Sequence, residues 1–376
     1  MAIKDSNRRQ FYAPHVRKLE IRYLKDESTV VDQYSTLRDM EFPLLKSLHV
    51  VSHYNEWPIR DDFHLCVEYC VRPSLEEVHF MISDLDSKIL RLLRRRCPKL
   101  KKFDFHVDVF YGTGINALTQ LIDGCKSLKS VSIHSDELDR GFEDFDSSSD
   151  SEVEFVRAQH EQRLGSLLRS LAHYKGLEKF HLNMLPKYKT FSRVLRNLEQ
   201  PFKDVRDLSL EAAEARSVSL LASKLNPEYL TALDIVIDSM TLTFNPLPQI
   251  GLLVNLQKLY ISYKGEPLSD IFPLKNLKCL RVFEISDSPM GEFTDEMFIS
   301  VLENWPELEV LILEGQNSKL STTFLTSLGK LCPRLEDCSI QGEYDLNDWQ
   351  NIPRPIFSQL QYLRITNLVD REEESQ

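Results

Sequence analysis

Five of the ten histidines in this chain fall where an imidazole could do chemistry. His49, His79, His106, His134 and His181 each sit in a short stretch where apolar and polar residues alternate. Imidazoles so placed could ligate a metal, titrate near neutral pH or present a polar aromatic surface. A metal would need further ligands at fixed distance and outer partners to orient them, which this spacing does not supply. A second candidate is Gly112-x-Gly114-x-x-Ala117, which follows a strand-like stretch and opens a helical one, with Asp136 at the end of the next strand. That is the outline of a dinucleotide fingerprint. However, the strand before it reads Lys101-Lys102-Phe103-Asp104-Phe105-His106, wet on one side, whereas a Rossmann strand is apolar on both. The chain holds no H-E-x-x-H, Walker A, G-x-S-x-G or C-x-x-C spacing. No catalytic residue, cofactor site or metal site is therefore expected.

The seven cysteines are an odd number without metal-ligand spacing, as expected of reduced thiols in the cytosol or nucleus. Cys97, Cys125 and Cys332 precede strand starts by two or three residues, which makes them small core residues rather than nucleophiles. The net charge is −11. Such a surface repels a phosphate backbone, so nucleic acid is not an expected partner. No apolar run approaches the ~18 residues of a membrane span, and the first residues lack an apolar signal core. An apolar share of 42% and a charged share of 27% are those of a folded protein, and a monomer is expected.

What positions the histidines is a repeat. The pattern apolar-x-x-apolar-x-apolar begins at Val16, Leu45, Leu75, Leu100, Leu128, Leu177, Val205, Leu230, Leu256, Leu280, Leu308, Leu335 and Leu360. Of the twelve steps between these starts, eleven span 24 to 30 residues and one spans 49. Within each copy the fourth and sixth residues are apolar and the third and fifth usually polar, the period of a half-buried strand. Helical stretches fill the gaps, such as Ser83 to Arg94 and a helix from the N-cap Thr294 to Trp305. Proline at Pro98, Pro306 and Pro333 releases each chain segment into the next strand. A strand–helix unit this short cannot bury its own apolar face, but stacked units share one core. The expected fold is α/β: a right-handed leucine-rich-repeat horseshoe of about thirteen units, with a parallel concave sheet and helices on the convex side.

A single solenoid is thus expected over residues 15–370, after an N-terminal segment 1–14 and before an acidic tail 371–376. The long step holds an insertion, about 136–154, with nine acidic residues, Arg140 and four serines. Its composition predicts a disordered loop, and Ser147, Ser149 and Ser151 each precede an acid by three residues, as an acid-directed kinase would require. Arg91, Arg94, Arg95, Arg96, Lys99, Lys101 and Lys102 form the one basic cluster, read as a solvated convex surface, with nuclear import or an acidic partner as the functional options.

The corner Cys-Pro-x-Leu, the strand L-x-x-L-x-I and the uneven spacing resemble the ribonuclease-inhibitor-like repeats of F-box/leucine-rich-repeat proteins. The opening Phe11-Tyr12-Ala13-Pro14-His15-Val16-Arg17-Lys18-Leu19 is similar to the segment that begins the repeats in many fungal F-box proteins. This resemblance implies a substrate-recognition module of an SCF-type ubiquitin ligase. The F-box itself is expected to be missing, so a Skp-type adaptor and cullin would be partners only if it were restored. The alternative is a scaffold with no ubiquitin link. Either would use the concave wall to bind a protein. There the N-terminal repeats place Lys18, Arg22, Lys102 and the five histidines. The C-terminal repeats place Glu211, Asp234, Glu284, Glu314 and Arg364, with Tyr260 as an amphipathic anchor. The location is expected to be cytoplasmic or nuclear.

Overall fold

The computed structural model describes residues 10–23, 37, 40–52, 61–82, 86–106, 113–134, 150–183, 187–212, 214–237, 244–263, 270–289, 293–316, 320–345 and 356–369. Two compact units divide the chain, residues 1–184 and 185–376. The first holds β1 (Lys18–Tyr23), β2 (Ser47–Ser52), β3 (Glu77–Met81), β4 (Lys102–His106), β5 (Ser130–His134) and β6 (Lys179–Asn183). The second holds β7 (Asp207–Ala212), β8 (Ala232–Ile237), β9 (Lys258–Tyr263), β10 (Val282–Pro289), β11 (Val310–Gln316), β12 (Asp337–Asp345) and β13 (Tyr362–Val369). Sheet order follows chain order in each.

Every one of these strands begins on the third residue of its sequence motif, because that is where alternation starts. Neighbours within each unit pair in parallel and in register, so like positions align: Leu48 with Val78, Val78 with Phe103 and Phe103 with Val131. The fourth and sixth residues point into the core, as Val78, Phe80, Leu311 and Leu313 do, each fully buried. The third, fifth and seventh residues share the other face. Burying a Leu or Phe side chain contributes about 1.5–3 kcal/mol, so one strand's inward pair already outweighs any surface ion pair.

Consecutive repeats within each unit are joined by a backbone clamp. The second- and third-position N–H groups both donate to the second-position carbonyl of the preceding repeat, at 2.7 to 3.1 Å. Lys46 and Ser47 donate to Arg17, Lys101 and Lys102 to Glu76, and Gln361 and Tyr362 to Glu336. Several corner residues add a side-chain bond. Cys97 Sγ donates to the Arg72 carbonyl at 3.2 Å and Trp305 Nε1 to the Leu274 carbonyl at 3.2 Å. Burial pushes the Cys97 and Cys332 thiols up to about 12 and that of Cys125 up to about 11, so these thiols stay protonated at neutral pH.

The helices depart from expectation in detail. One runs Ser87–Arg96, two residues past the expected end, and the Asp86 side chain accepts from Lys88 N and caps its start; residues 83–85 lie outside the described residues. Arg91, Arg94, Arg95 and Arg96 on it are exposed. The helix after Thr294 covers Asp295–Leu302 only, and Trp305 follows a short turn. Between β8 and β9 a single turn, Leu247–Ile250, replaces a helix, and between β9 and β10 a 3-10 turn, Phe272–Asn276, does so. Pro246 and Pro273 sit at those starts, where a missing N–H costs nothing.

The expected disordered stretch at about 136–154 needs correction at its end. A helix, Asp150–His173, begins inside it. Acidic composition argues against a core but not against a first helical turn, where the dipole favours negative charge. Residues 135–149 and the tail 370–376 lie outside the described residues. Among the described residues no helix is long and apolar enough to cross a membrane.

Candidate functional site

The strands place two different surfaces on the face opposite the core, one in each unit. In the first unit that face is a histidine row. Register puts His49 beside His79 and His106 beside His134. The His49 and His79 rings lie 4.1 Å apart between centroids, His106 and His134 5.0 Å apart, and His134 and His181 4.6 Å apart, tilted by 25° to 34°. Asp104 ties the row together. Its carboxylate meets His79 Nδ1 at 3.3 Å and His134 Nε2 at 3.2 Å. Partial burial alone would push the Asp104 carboxyl up, but hydrogen bonds from His134 and His79, with their charge, hold it far below the ordinary range. His49 also meets Ser47 Oγ at 3.0 Å. Burial first, then the charges of His79 and Lys18, lower its imidazole below the usual value against the pull of Glu20 and Glu77.

All five histidines named from the sequence are therefore brought into one set of neighbours. Asp104, which bonds two of them, was missed. Its signal was present, since it is the fifth-position residue of the strand between those of His79 and His134. Near-parallel rings aim their nitrogens along the ring planes rather than at one point. Accordingly, no group of three or more His, Cys, Asp or Glu among the described residues could hold a metal ion.

In the second unit the same face is acidic. Asp234, Tyr260 and Glu284 stand side by side on β8, β9 and β10. With Val236, Ser262 and Ser286 they line an open depression of about 430 Å³. Asp234 accepts from Ser209 Oγ at 2.8 Å, which fixes its carboxylate toward β7. Glu284 is half-buried, not exposed as its position implied. Burial, then the charges of Glu314 and Asp234, raise its carboxyl above the ordinary value. Burial likewise raises the Tyr260 phenol, reinforced by Glu284, Asp234 and Asp207. Glu314 and Arg364 meet each other: Arg364 Nη1 donates to Glu314 Oε1 at 3.2 Å, and Ser339 Oγ to the same oxygen at 3.1 Å. The Glu211 side chain lies outside the described residues.

A third feature, absent from the sequence reading, runs along the second positions. Glu76 accepts from Lys46 Nζ at 2.8 Å and from Lys101 Nζ at 2.7 Å, and Lys129 donates to Glu178 at 2.6 Å. Opposite charges at neighbouring second positions were the available signal. The bonds from Lys101 and Lys46 hold the Glu76 carboxyl down at about 2.

Repeated parallel strands in register, an apolar L-x-x-L-x-I core and connecting helices or turns decide the fold. It is a leucine-rich-repeat fold. No protein-family model matches the chain, and no curated protein matches it. Among solved structures it is similar to an internalin (inlF) from Listeria monocytogenes, at 14% identity and a TM-score of 0.41, covering 97% of this chain and 86% of that one. It is also similar to a chain of the Rad7 and Elc1 complex in yeast, at 14% identity and a TM-score of 0.46, covering 80% and 71%. A third similar structure is that of PEPR1–AtPEP1, at 15% identity and a TM-score of 0.40, where 93% of this chain matches 44% of the other.

Proposed function

We propose that this leucine-rich-repeat protein is a protein-recognition module that binds its partner on the outward-facing residues of its strands. The observation that carries the reading is the depression around Tyr260. An aromatic with a polar tip stands between two carboxylates on a rigid sheet, where side-chain ordering costs little on binding. A basic side chain of a partner would stack on the phenol and meet Asp234 and Glu284 together. Within this reading, the resemblance to F-box/leucine-rich-repeat proteins favours selection of a protein for ubiquitination, with a Skp-type adaptor and a cullin joining the assembly only where an F-box is supplied. A partner-binding scaffold without that link uses the same faces.

Affinity purification of the tagged full chain tests both. Partner recovery should fall with Glu284→Lys combined with Glu314→Lys and persist with Lys330→Glu, which lies exposed on the helix Thr322–Leu331. The opposite pattern overturns the strand-face assignment. Co-recovery of a cullin and a Skp-type adaptor supports the ubiquitin reading, and their absence alongside a recovered partner supports the plain scaffold.

A further inference from the structure

The histidine row of the first unit has no role in the depression around Tyr260. Five imidazoles on β2 to β6 cover four inter-strand steps, roughly 19 Å at ~4.8 Å per step. That is the length of five or six extended residues at ~3.3 Å each. The contacts form one chain, His49 to His79, to Asp104, to His134, to His181, with His106 stacked on His134.

The charged neighbours decide what this face attracts. On the third, fifth and seventh positions of β1 to β6 the fixed cations are Lys18, Arg22, Lys102 and Lys179. The carboxylates are Glu20, Glu77 and Asp104. Glu20 is held by Arg22 at 2.5 Å, and Asp104 by its two histidines, so much of the negative charge is already paired. With the histidines neutral the face carries one net positive charge, and with all five protonated it carries six. Burial and then the charge of His79, 4.1 Å away, oppose protonation of His49, and an anion laid over the row would offset that charge. Each carboxylate laid on the row therefore favours proton uptake, and proton uptake favours the carboxylate in turn.

We propose that this face is a docking site for an acidic protein segment, bound in extended form across β2 to β6 and more tightly as pH falls through the histidine range. The proposal rests on the strand-face reading above and names a partner chemistry for its first unit. A long nucleic acid is disfavoured as occupant by the chain's net charge of −11.

The test uses the full chain and a fluorescein-labelled peptide of alternating Glu and Gly, followed by anisotropy at constant ionic strength. Affinity should rise about tenfold or more between about pH 7.8 and about pH 5.8, the range over which histidine charges. His79→Gln with His134→Gln should remove most of that rise, and so should His106→Gln with His181→Gln, which leaves Asp104 one histidine on each side. Circular dichroism reports whether either variant has lost its fold, and the folded one decides. No binding at the lower pH, or an equal rise in the folded variant, overturns the proposal. So does an oligothymidylate of matched charge that binds more tightly than the peptide. If the peptide fails while partner recovery still responds to Glu284→Lys with Glu314→Lys, this inference alone falls. If both fail, the strand-face reading falls with it.

Discussion

Replacing Glu284 by glutamine should stabilise the protein near neutral pH, although it removes a charge from a polar surface. Glu284 is half-buried, and its carboxyl is raised by that burial and then by Glu314 and Asp234. The sign follows from linkage. A carboxyl whose folded value exceeds its unfolded one contributes fully only below the ordinary carboxylate range, about 4.3 for Glu. That contribution is lost as pH rises through the folded value, so at neutral pH the ionised group opposes folding. Glu314 lies one strand over and two residues along, a diagonal of about 7–8 Å. Coulomb's law gives about 0.5 kcal/mol at that distance in water and about 1 kcal/mol at half water's dielectric constant. Asp234 stands two strands away, about 10 Å, or one screening length at 0.1 M salt, and adds less. Arg364 already offsets part of the Glu314 charge, and solvent screens the exposed portion. The expected gain for Glu284→Gln is therefore about 0.5–1 kcal/mol. Urea unfolding followed by circular dichroism should show it near pH 7.5, show little of it near pH 4, and show it shrinking in high salt. A destabilised variant, or a gain independent of pH, would refute the reasoning. The same variant should weaken partner binding, because a strained carboxylate is what an incoming cation relieves.

Three further outcomes follow from the packing. Trp305→Phe removes one of the two hydrogen bonds to the Leu274 carbonyl, which Leu277 N still meets, and should cost about 0.5–1.5 kcal/mol in urea unfolding, beyond the lost volume. Gly251→Ala places a methyl 2.3 Å from the Pro273 carbonyl oxygen and should cost about 1–3 kcal/mol, whereas Gly114→Ala meets nothing within 4 Å and should be neutral or mildly stabilising. Glu76→Gln should flatten the acid limb of the stability curve. Its folded value is held at about 2, so its contribution is present above the ordinary carboxylate range and lost as pH falls towards 2. Thermal melts across that range check it.

The strands were legible because a period of two with leucine at the first, fourth and sixth places leaves one possible face inward. Val78 and Phe80, or Leu311 and Leu313, have no other way to escape water. Adjacency within the pairs His49–His79 and His106–His134 was legible for the same reason, since parallel register converts equal motif position into contact. His181 instead meets His134 across a diagonal that equal position does not supply. The helices were less so. Thr294 to Trp305 reads as one helix, yet the chain leaves it at Leu302, because Trp305 must turn inward to reach the Leu274 carbonyl of the preceding unit. Asp104 escaped notice because its strand was judged only by whether it was wet. Its meaning lies in what stands on either side, which a single stretch of sequence does not display. Glu314 and Arg364 fall on the same wall in the sequence, but their pairing spans fifty residues and two strands, so the contact itself does not show there.

The clamp between consecutive repeats has a consequence for how this chain can change length. Glu178 and Lys179 donate to the Lys129 carbonyl across the longest step, and Lys101 and Lys102 donate to Glu76 across a step of 25 residues, with the same geometry. The clamp fixes where a strand begins and is indifferent to how much chain precedes it. Insertions and deletions are therefore tolerated between the end of one strand and the next corner, and excluded from the six residues in between. A grafted segment placed in the long step should leave the histidine row undisturbed, while a single residue added within β4 would turn Asp104 away from both of its histidines and into the core.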